Sequence, residues 1–384
     1  MRTDRPDAAP PMPQAGALRS DSGNAAQRAD GATAGSALAV DGLVRSLAEP
    51  GCGTYCADFR PPSWLANPHL QSLLASSGIR RLRFRRRADW LLASSQEVLL
   101  TLSPELTLQG FHAAAPAPAR GLVVLLHGWE GSAQSTYVLC LGARLLAAGY
   151  DVFRLNFRDH GETQHLSREI FHSARIDEVV AAVAEAARRF ADGPIYLGGY
   201  SLGGNFALRV ALRARAAGFA LDYLFAVCPA IHPPSVLSAI EAAPRFYHAY
   251  FMRKWRRSLA RKQSLYPEQY DFGWAERASM RELTAGLVER HTAFGSIDEY
   301  LHAYSLAGER LAALDVEGAI LVAADDPVCP LTDYQGLRLP ASIELCIAER
   351  GGHCGFIRNA RLDSFAEDFI VQRLEGRDAG GGRR

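Results

Sequence analysis

The stretch "YLGGYSLGGNF", residues 196–206, places one serine between two pairs of glycines directly after a short apolar run. Gly199, Ser201 and Gly203 match the pattern G-x-S-x-G at a point where a predicted strand meets a predicted helix. A serine on so sharp a turn has a strained backbone, and side chains two residues before and after it would collide with neighbouring backbone. The pattern therefore predicts a nucleophilic serine, Ser201, near the end of a helix whose dipole favours developing negative charge.

Two other glycine-rich motifs do not fit this stretch. A dinucleotide-binding fingerprint would need glycine at position 200, which is Tyr200, and a Walker loop would need lysine at position 204, which is Gly204. We therefore predict that the protein uses no cofactor. The alternative left open is a tight structural turn in which Ser201 has no chemical role.

Segments typical of strands and helices alternate through most of the chain, in the manner of a parallel sheet that is covered on both faces. The segments "EVLLTL" and "LTLQGFHA" are interpreted as an opening antiparallel pair. The strands predicted to follow are "GLVVLLHG", "DVFRLNF", "PIYLGGY", "LDYLFAV", "GAILVAA" and "SIELCIA". We therefore predict an α/β fold with a mostly parallel central sheet, helices on both faces and a helical cap insertion.

The same pattern divides the chain into five segments. Residues 1–57 are rich in Ala, Gly and Pro, and we expect a disordered tail because they cannot bury enough apolar surface to offset chain entropy. Residues 58–231 and 314–376 are predicted to be the N-terminal and C-terminal parts of the core. Between them, residues 232–313 are helical, basic and aromatic, which indicates the cap. Residues 377–384 are predicted to be a flexible tail.

Charge and cysteine content limit the classes of partner and compartment. The 42 Lys and Arg residues nearly balance the 41 Asp and Glu residues, and the formal net charge of +1 gives no global attraction to nucleic acid. The seven cysteines are odd in number and have no framework spacing, so we interpret them as reduced thiols of a cytoplasmic protein. We expect neither a signal peptide nor a membrane span, because no apolar run reaches the roughly 18 to 20 residues that a span needs.

A nucleophilic serine needs a base and a carboxylate, and both have candidates after the predicted cap. Asp325 and Asp326 end a predicted strand, and we choose Asp326 because loops of this kind place the acid four residues before a proline, here Pro330. Asp325 is the alternative acid, with a role in the turn if Asp326 is correct. His353, in "ERGGHCGF", is the candidate base because its glycine neighbours indicate a backbone shaped to aim the ring. A structural loop histidine is the alternative.

The oxyanion of an acyl-transfer reaction needs hydrogen-bond donors. The segment "LLHGWEGS" follows the third predicted strand, where the second backbone donor of such sites normally arises. We predict that the backbone N–H groups of Trp129 and Leu202 form the donor pair and that His127 braces the loop.

Three histidines, His160, His165 and His172, follow the predicted strand "DVFRLNF". They lack the i, i+4 helical spacing and the intervening glutamate of a typical metal site. We therefore predict no metal and interpret these histidines as loop hydrogen-bonding groups. Cys354, next to His353, is interpreted as a packed thiol.

Six short motifs occur along about residues 60–375, and they are "NPHLQSLL", "HGWEGS", "NFRDHGET", "GGYSLGGN", "AADDPVCP" and "GGHCGF". In this order they resemble the YheT-like branch of the α/β-hydrolases, relatives of the plant embryogenesis-associated proteins and the animal abhydrolase lipases. The resemblance implies an α/β-hydrolase fold and a carboxylic-ester or acylglycerol hydrolase with Ser201, Asp326 and His353 as its triad. "NFRDHGE" departs from the Gly-Cys or Gly-Ser content that is usual in that family after the arginine.

From these residues we predict a serine esterase of the lipase type that acts on short- to medium-chain esters or acylglycerols through an acyl-serine intermediate. The partner is then a small-molecule or lipid ester. A thioesterase or an acyltransferase would use the same triad and is the first alternative. A non-catalytic lipid-binding protein of the same fold is the second, although such a protein could lose any member of the triad without unfolding.

Two basic segments leave open how a lipid substrate reaches the site. "RRLRFRRR", residues 80–87, has six arginines in eight positions and is either a solvated connection or a local site for phosphate or anionic headgroups. Residues 246–262 form a helix candidate with basic residues around one apolar face, which consists of Tyr247, Phe251, Trp255 and Leu259. We expect this helix to roof the acyl pocket, and weak peripheral membrane contact through the cap is the alternative.

Overall fold

The structure, a computed structural model, describes residues 54–55, 59–116 and 118–381 of the chain. Almost all of the predicted disordered tail, residues 1–57, lies outside the described residues, as do residues 382–384 of the predicted flexible tail. Within the described ranges, every helix is too short or too polar to cross a membrane.

Nine strands of the described chain form one sheet. In chain order they are β1 (Thr54–Tyr55), β2 (Ser95–Ser103), β3 (Leu106–Ala113), β4 (Leu122–Leu126), β5 (Asp151–Leu155), β6 (Ile195–Tyr200), β7 (Tyr223–Val227), β8 (Gly318–Ala323) and β9 (Ile343–Ala348). Across the sheet the order is β1-β9-β8-β7-β6-β4-β5-β3-β2. The pairs β2–β3 and β3–β5 are antiparallel, and the other neighbours are parallel. The predicted mostly parallel sheet with an opening antiparallel pair is confirmed.

The described α-helices precede, connect and follow these strands. In chain order they are α1 (Pro68–Ala75), α2 (Gly78–Arg83), α3 (Arg85–Ala93), α4 (Thr136–Ala147), α5 (Ile176–Phe190), α6 (Leu202–Ala211), α7 (Pro233–Ala242), α8 (Arg245–Leu265), α9 (Met280–His291), α10 (Ile297–Ala303) and α11 (Phe365–Gly381).

The crossover helices lie on opposite faces of the sheet. α4 links β4 to β5, whereas α5 links β5 to β6 and α6 links β6 to β7, in the opposite direction across the strand order. Because parallel crossovers are right-handed, this reversal puts α4 on one face and α5 and α6 on the other. Strands β4, β7 and β8 are buried at every position, as expected for strands that are covered on both faces.

Four helices, α7 to α10, occupy the chain between β7 and β8, inside the segment predicted as the cap, residues 232–313. Their apolar side chains form a cluster separate from the core of the sheet, and its most buried members include Met252, Leu259, Leu283 and Leu301. This cluster, named here the cap core, also includes Ile170, Ala230, Val328 and Cys329 from loops outside the cap, so it packs the cap onto the rest of the fold.

Two segment boundaries differ from the prediction. Thr54–Tyr55, within the predicted tail, forms β1 beside β9, with Thr54 opposite Cys346. At the other end, α11 continues to Gly381, into the segment 377–384 that was predicted to be a flexible tail. Both extensions are made by backbone hydrogen bonds, which need no apolar periodicity, so the composition of these residues does not reveal them.

Four cysteines are free and buried, as expected for reduced thiols, and they are Cys140, Cys228, Cys329 and Cys354. Cys346 in β9 is disulfide-bonded, so the interpretation of all seven cysteines as reduced is wrong at this position. A disulfide requires Cα atoms roughly 4.4–6.8 Å apart. Spacing along the sequence does not show which segment lies that close to β9.

Candidate active site

Ser201 lies in the turn between β6 and α6, with a backbone φ of 54° and ψ of −120°. Non-glycine residues rarely adopt such angles, and the turn is held by Ser201 N–H, which donates to Val227 O at 2.9 Å. A Cβ at Gly199 would lie 2.3 Å from the carbonyl oxygen of Gly203. A Cβ at Gly203 would lie 2.4 Å from the carbonyl oxygen of Leu126. Neither distance accommodates a side chain, so this turn requires both glycines.

The three residues predicted as a triad form one chain of hydrogen bonds. His353 Nε2 lies 2.9 Å from Ser201 Oγ, and His353 Nδ1 lies 2.9 Å from Asp326 Oδ2. Asp326 follows β8, and its Oδ1 accepts hydrogen bonds from the N–H groups of Val328 and Cys329 at 2.8 and 2.9 Å. These two donors fix the carboxylate toward the ring, and the ring is thereby aimed at the serine.

Asp325, the alternative acid, shapes the loop that carries His353. Its Oδ1 accepts a hydrogen bond from Gly352 N–H at 2.8 Å, and Ser72 Oγ accepts one from His353 N–H at 2.8 Å. Burial raises the pKa of Asp325 to about 6. Asp326 therefore contacts the imidazole, while Asp325 holds the backbone beside it.

The neighbouring carboxylate controls the charge of the His353 ring. Burial by itself lowers the pKa of His353, but the negative charge of Asp326 opposes this effect and the pKa lies well above its ordinary value. A ring whose protonated form is stabilised in this way is a strong proton acceptor. The arrangement can therefore remove a proton from Ser201 Oγ and hold it as imidazolium.

Trp129 and Leu202, the predicted oxyanion donors, line the same cavity as Ser201. Leu202 is the first residue of α6, where a backbone N–H has no acceptor within the helix. Trp129 follows Gly128, at which an added Cβ would lie 3.3 Å from Ser201 Cβ. The loop after β4 thus passes directly beside the candidate nucleophile, and the role of both amides as oxyanion donors stays a prediction.

Two buried histidines support this loop. His127 Nδ1–H donates to Gly128 O at 2.7 Å, and His127 Nε2 accepts from Phe157 N–H at 3.2 Å. His160 Nε2 accepts from Glu130 N–H at 3.2 Å. Burial lowers the pKa of His127 well below its ordinary value and that of His160 to about 4, so both rings are neutral. His127 thus braces the loop, in the manner expected from the sequence.

The loop after β5 joins the core to the cap through one buried ion pair, and a second buried pair ties the same loop to the core helix α5. Lys262 Nζ in α8 donates to Asp159 Oδ1 at 2.8 Å and to Ser167 O at 2.5 Å. Arg158, the residue before Asp159, pairs with Glu178 Oε2 at 2.8 Å. Burial lowers the pKa of Lys262 and raises the pKa of Asp159, while each partner favours the charged form of the other. The motif "NFRDHGET" is therefore a structural link between the core and the cap.

Side chains that could share a metal ion form two groups in the described part of the chain, and they are Cys228 with His353 and Cys354, and Asp326 with Cys329 and His353. Both groups depend on His353, whose two nitrogens already contact Ser201 and Asp326. The loop histidines His160, His165 and His172 belong to neither group.

A cavity of about 630 Å³ lies above Ser201, between the core and the cap. The cap side chains that line it are mostly apolar and include Val236, Leu237, Ile240, Met280 and Leu301. Three members of the apolar face of α8, Tyr247, Phe251 and Trp255, also line the cavity, and the fourth, Leu259, is buried in the cap core. This face roofs the cavity, as in the first interpretation of the helix, with Tyr247 and Leu259 buried and Phe251 and Trp255 partly buried.

Two charged residues of the cavity wall were not predicted. Lys254 Nζ donates to Glu130 O at 3.2 Å, and both side chains line the cavity. Burial raises the pKa of Glu130 to about 7. Helical periodicity contained a signal for Lys254, since it follows Tyr247 by seven positions and Phe251 by three and so shares their face. The sequence signal that places Glu130 in the cavity wall is weaker, because it consists only of its position directly after Trp129.

Comparisons with known proteins agree with this geometry. Residues 123–364 match the model of a family described as "Alpha/beta hydrolase family". The chain is 26% identical over 340 residues to "Putative esterase YheT" of Escherichia coli, a match that covers 84% of this chain and 95% of that protein. It is 23% identical over 334 residues to "Putative esterase slr0264" of Synechocystis sp., a match that covers 81% of this chain and 90% of that protein.

A solved structure shares the fold. The crystal structure of 2,6-dihydroxy-pseudo-oxynicotine hydrolase superimposes with a TM-score of 0.51 at 16% identity, and the match covers 76% of this chain and 72% of that chain. At this level of identity the similarity concerns the arrangement of the sheet and its helices.

Proposed function

Because the chain belongs to the alpha/beta hydrolase family, we propose that it is a serine esterase that cleaves carboxylic esters through an acyl-serine intermediate. The observation that carries this proposal is the chain of hydrogen bonds from Ser201 through His353 to Asp326, at the base of an apolar cavity. The names of the two curated relatives, which belong to the YheT-like branch that the motifs resemble, support the same reaction class.

In the acylation step, Ser201 Oγ attacks the ester carbonyl carbon while its proton passes to His353 Nε2. Asp326 holds the ring in the required tautomer and stabilises the imidazolium. The carbonyl oxygen becomes an oxyanion, and the N–H groups of Trp129 and Leu202 are the proposed donors to it. When the tetrahedral intermediate collapses, the C–O bond to the alcohol breaks and His353 gives its proton to the departing oxygen.

In the deacylation step, a water molecule replaces the alcohol. His353 Nε2 takes a proton from the water as its oxygen attacks the acyl-serine carbonyl. The second tetrahedral intermediate collapses, the bond to Ser201 Oγ breaks, and the proton on His353 returns to the serine. The products are a carboxylic acid and the unmodified enzyme.

The walls of the cavity support an ester with a short or medium acyl chain. A volume of about 630 Å³ lies within the roughly 300–1,000 Å³ range of small-molecule sites, and the cap supplies apolar side chains. Trp129 stacks on Phe251 of the roof with ring centroids 5.5 Å apart, which joins the proposed oxyanion loop to the acyl wall. Acylglycerols with such chains are the lipid substrates that we propose.

A panel of p-nitrophenyl esters and monoacylglycerols of graded chain length, assayed with the purified full chain, tests this proposal. We expect hydrolysis of short and medium chains that is abolished in Ser201→Ala. Ser264→Ala, at an exposed serine of α8, is the matched control and should keep the activity of the unmodified protein. If no ester in the panel is hydrolysed, or if Ser201→Ala is as active as Ser264→Ala, the proposal is wrong.

The cytoplasmic location stays a prediction that the disulfide at Cys346 opposes, because disulfides persist mainly in oxidising compartments. Counting the free thiols with a maleimide, in a cell extract prepared without reductant, decides whether the protein is fully reduced or has a disulfide in the cell. Seven reactive thiols after denaturation would support a cytoplasmic, fully reduced protein. Two fewer would indicate that one disulfide forms in the cell.

A further inference from the structure

The cavity above Ser201 opens to the surface between the α1–α2 junction and α8. The residues that line it and are themselves exposed are Leu73, Ser76, Gly78 and Tyr250. Leu73 exposes 47% of its surface and Tyr250 exposes 39%. The opening of the cavity therefore has a partly apolar rim.

α2 extends this apolar rim into solvent. Ile79 follows the cavity-lining Gly78 directly, and Leu82 lies three positions further on, so the two side chains share one face of the helix. Each exposes 70% of its surface, more than any other large apolar side chain of the described residues. Scattered exposed leucines are ordinary on proteins, but neighbouring ones beside a cavity opening are typical of an interaction site.

Exposed arginines adjoin these apolar side chains in α2 and α3. They are Arg81, Arg83, Arg85, Arg86 and Arg87. The exposed acid within this segment is Asp89, which pairs with Arg85 at 3.2 Å. Arg80 does not belong to this set, since it is buried in an ion pair with Glu367. The segment therefore has a strong local excess of positive charge, although the whole chain is nearly neutral.

Three of these arginines surround a recess in the surface. Arg83, Arg86 and Arg87 line a shallow cavity of about 400 Å³ together with Phe84, Arg361 and Asp363. Guanidinium groups bind phosphate oxygens through charge-assisted hydrogen bonds. The recess is thus suited to a phosphate-bearing headgroup.

We propose that this region docks on a lipid bilayer that contains anionic phospholipids. The mouth surface, as we name it, consists of Leu73, Ile79, Leu82 and Tyr250 with Arg81, Arg83, Arg85, Arg86 and Arg87. In the docked orientation the apolar side chains enter the interface, the arginines contact headgroup phosphates, and the opening of the cavity faces the membrane. The role of the docking in catalysis rests on the proposed function, whereas the docking itself does not.

A bilayer fits the mouth surface better than a nucleic acid does. Nucleic acid would pair with the arginines, but its phosphate backbone offers no apolar phase for Ile79 and Leu82. A bilayer supplies both an anionic surface and an apolar layer a few ångströms below it. The apolar face of α8 is not available for the same purpose, because it lines the cavity and the cap core.

Co-sedimentation of the full chain with vesicles tests the docking. The vesicles are of phosphatidylcholine, with and without phosphatidylglycerol, at low and high ionic strength. The variant Arg83→Glu/Arg86→Glu reverses two positive charges of the mouth surface. The variant Ile79→Ser/Leu82→Ser replaces its two most exposed apolar side chains. The matched control, Arg215→Glu/Arg338→Glu, reverses two exposed arginines that pair with Asp315 and Glu309. They precede β7 and β9, at the amino ends of these strands, whereas Ser201 follows the carboxyl end of β6.

We expect binding to the anionic vesicles that weakens as salt rises. Because each basic residue near an anionic surface changes partitioning by about fivefold, loss of two arginines should weaken binding about 25-fold, and the two added negative charges make this a lower bound for Arg83→Glu/Arg86→Glu. Ile79→Ser/Leu82→Ser should also bind more weakly, whereas the control variant should bind like the unmodified protein. Equal or absent binding to both kinds of vesicle would overturn the proposal. An equal loss of vesicle binding in the control variant would also overturn it. The same holds if the protein binds a single-stranded RNA more tightly than the vesicles and Ile79→Ser/Leu82→Ser does not change that binding.

A second readout keeps this proposal separate from the proposed function. On a dispersed short-chain p-nitrophenyl ester, both mouth variants should match the unmodified protein, because neither alters a residue that lines the cavity above Ser201. On an ester carried in anionic vesicles they should be slower, in proportion to their lost binding. If the unmodified protein hydrolyses no ester but binds vesicles as described, the proposed function fails and the docking stands. If it hydrolyses esters without binding vesicles, the docking fails alone.

Discussion

His353 Nδ1 lies 2.9 Å from Asp326 Oδ2, whereas the adjacent carboxylate, Asp325, accepts its hydrogen bond from the backbone of Gly352. Two neighbouring acids thus have different tasks, one at the ring and one at the loop. The difference is testable because both can be replaced by an amide of nearly the same shape.

Asp326→Asn should lower kcat by about three to four orders of magnitude, the scale of a lost triad acid. Asp325→Asn should cost far less, because an asparagine oxygen can still accept from Gly352 N–H. Steady-state kinetics on a p-nitrophenyl ester compare the two variants. A larger loss in Asp325→Asn would reverse the assignment of the acid.

The pH dependence of kcat/KM should report the ionisation of His353. The ring acts as a base only when neutral, and Asp326 holds its pKa above the ordinary value of 6.5, so activity should be present above that raised pKa and fall as pH decreases through it. Removing the negative charge in Asp326→Asn should move the acid limb to lower pH. Profiles of both proteins from about pH 5 to 9 check this. An acid limb centred below 6.5, or one that does not move in the variant, would contradict it.

The elbow glycines should tolerate no side chain. Gly203→Ala places a Cβ 2.4 Å from backbone carbonyl oxygens, so the backbone must shift, at a cost of about 1–3 kcal/mol in the free energy of unfolding and a large loss of activity. Gly193→Ala is the matched control, since its Cβ would meet no atom within 4 Å. Chemical denaturation and ester hydrolysis measure both effects. Equal stability and activity of the two variants would show that the turn is less constrained than the distances indicate.

The buried pair between Lys262 and Asp159 should be a major contact between the core and the cap. Lys262→Met leaves the Asp159 carboxylate buried without its partner, which should cost about 3–5 kcal/mol. Lys262→Met/Asp159→Asn should recover part of this loss. Arg261→Met removes the neighbouring exposed pair with Glu162 and should change stability by less than about 1 kcal/mol. Denaturant titration compares the three, and similar losses in Lys262→Met and Arg261→Met would contradict this assignment.

The contacts that sequence analysis located are those that follow from local chain geometry. The glycines around Ser201 predict a sharp turn, and the chain order predicts that Asp326 and His353 come from loops after later strands. Because the carboxyl ends of parallel strands share one edge of a sheet, three such loops meet there. The fold is confirmed, and the catalytic roles of these residues stay predictions.

Other contacts depend on packing between distant parts of the chain. Lys262 and Asp159 are 103 positions apart, and the sequence indicates only that Lys262 is one of the basic residues around the apolar face of a helix and that Asp159 follows a strand. The disulfide of Cys346 depends in the same way on which segment packs beside β9, and the position of Lys254 in the cavity wall depends on which loop packs against α8. Periodicity indicates which face of an element is apolar, but it does not indicate what that face meets.

Covalent labelling with a fluorophosphonate probe, followed by mass spectrometry of the adduct, tests whether Ser201 is the nucleophile. We expect one modified residue, Ser201, because its Oγ lies 2.9 Å from His353 Nε2 at the base of the cavity. Labelling should be lost in Ser201→Ala and kept in Ser264→Ala. An adduct on any other serine, or no adduct on the folded protein, would show that Ser201 is not the nucleophile.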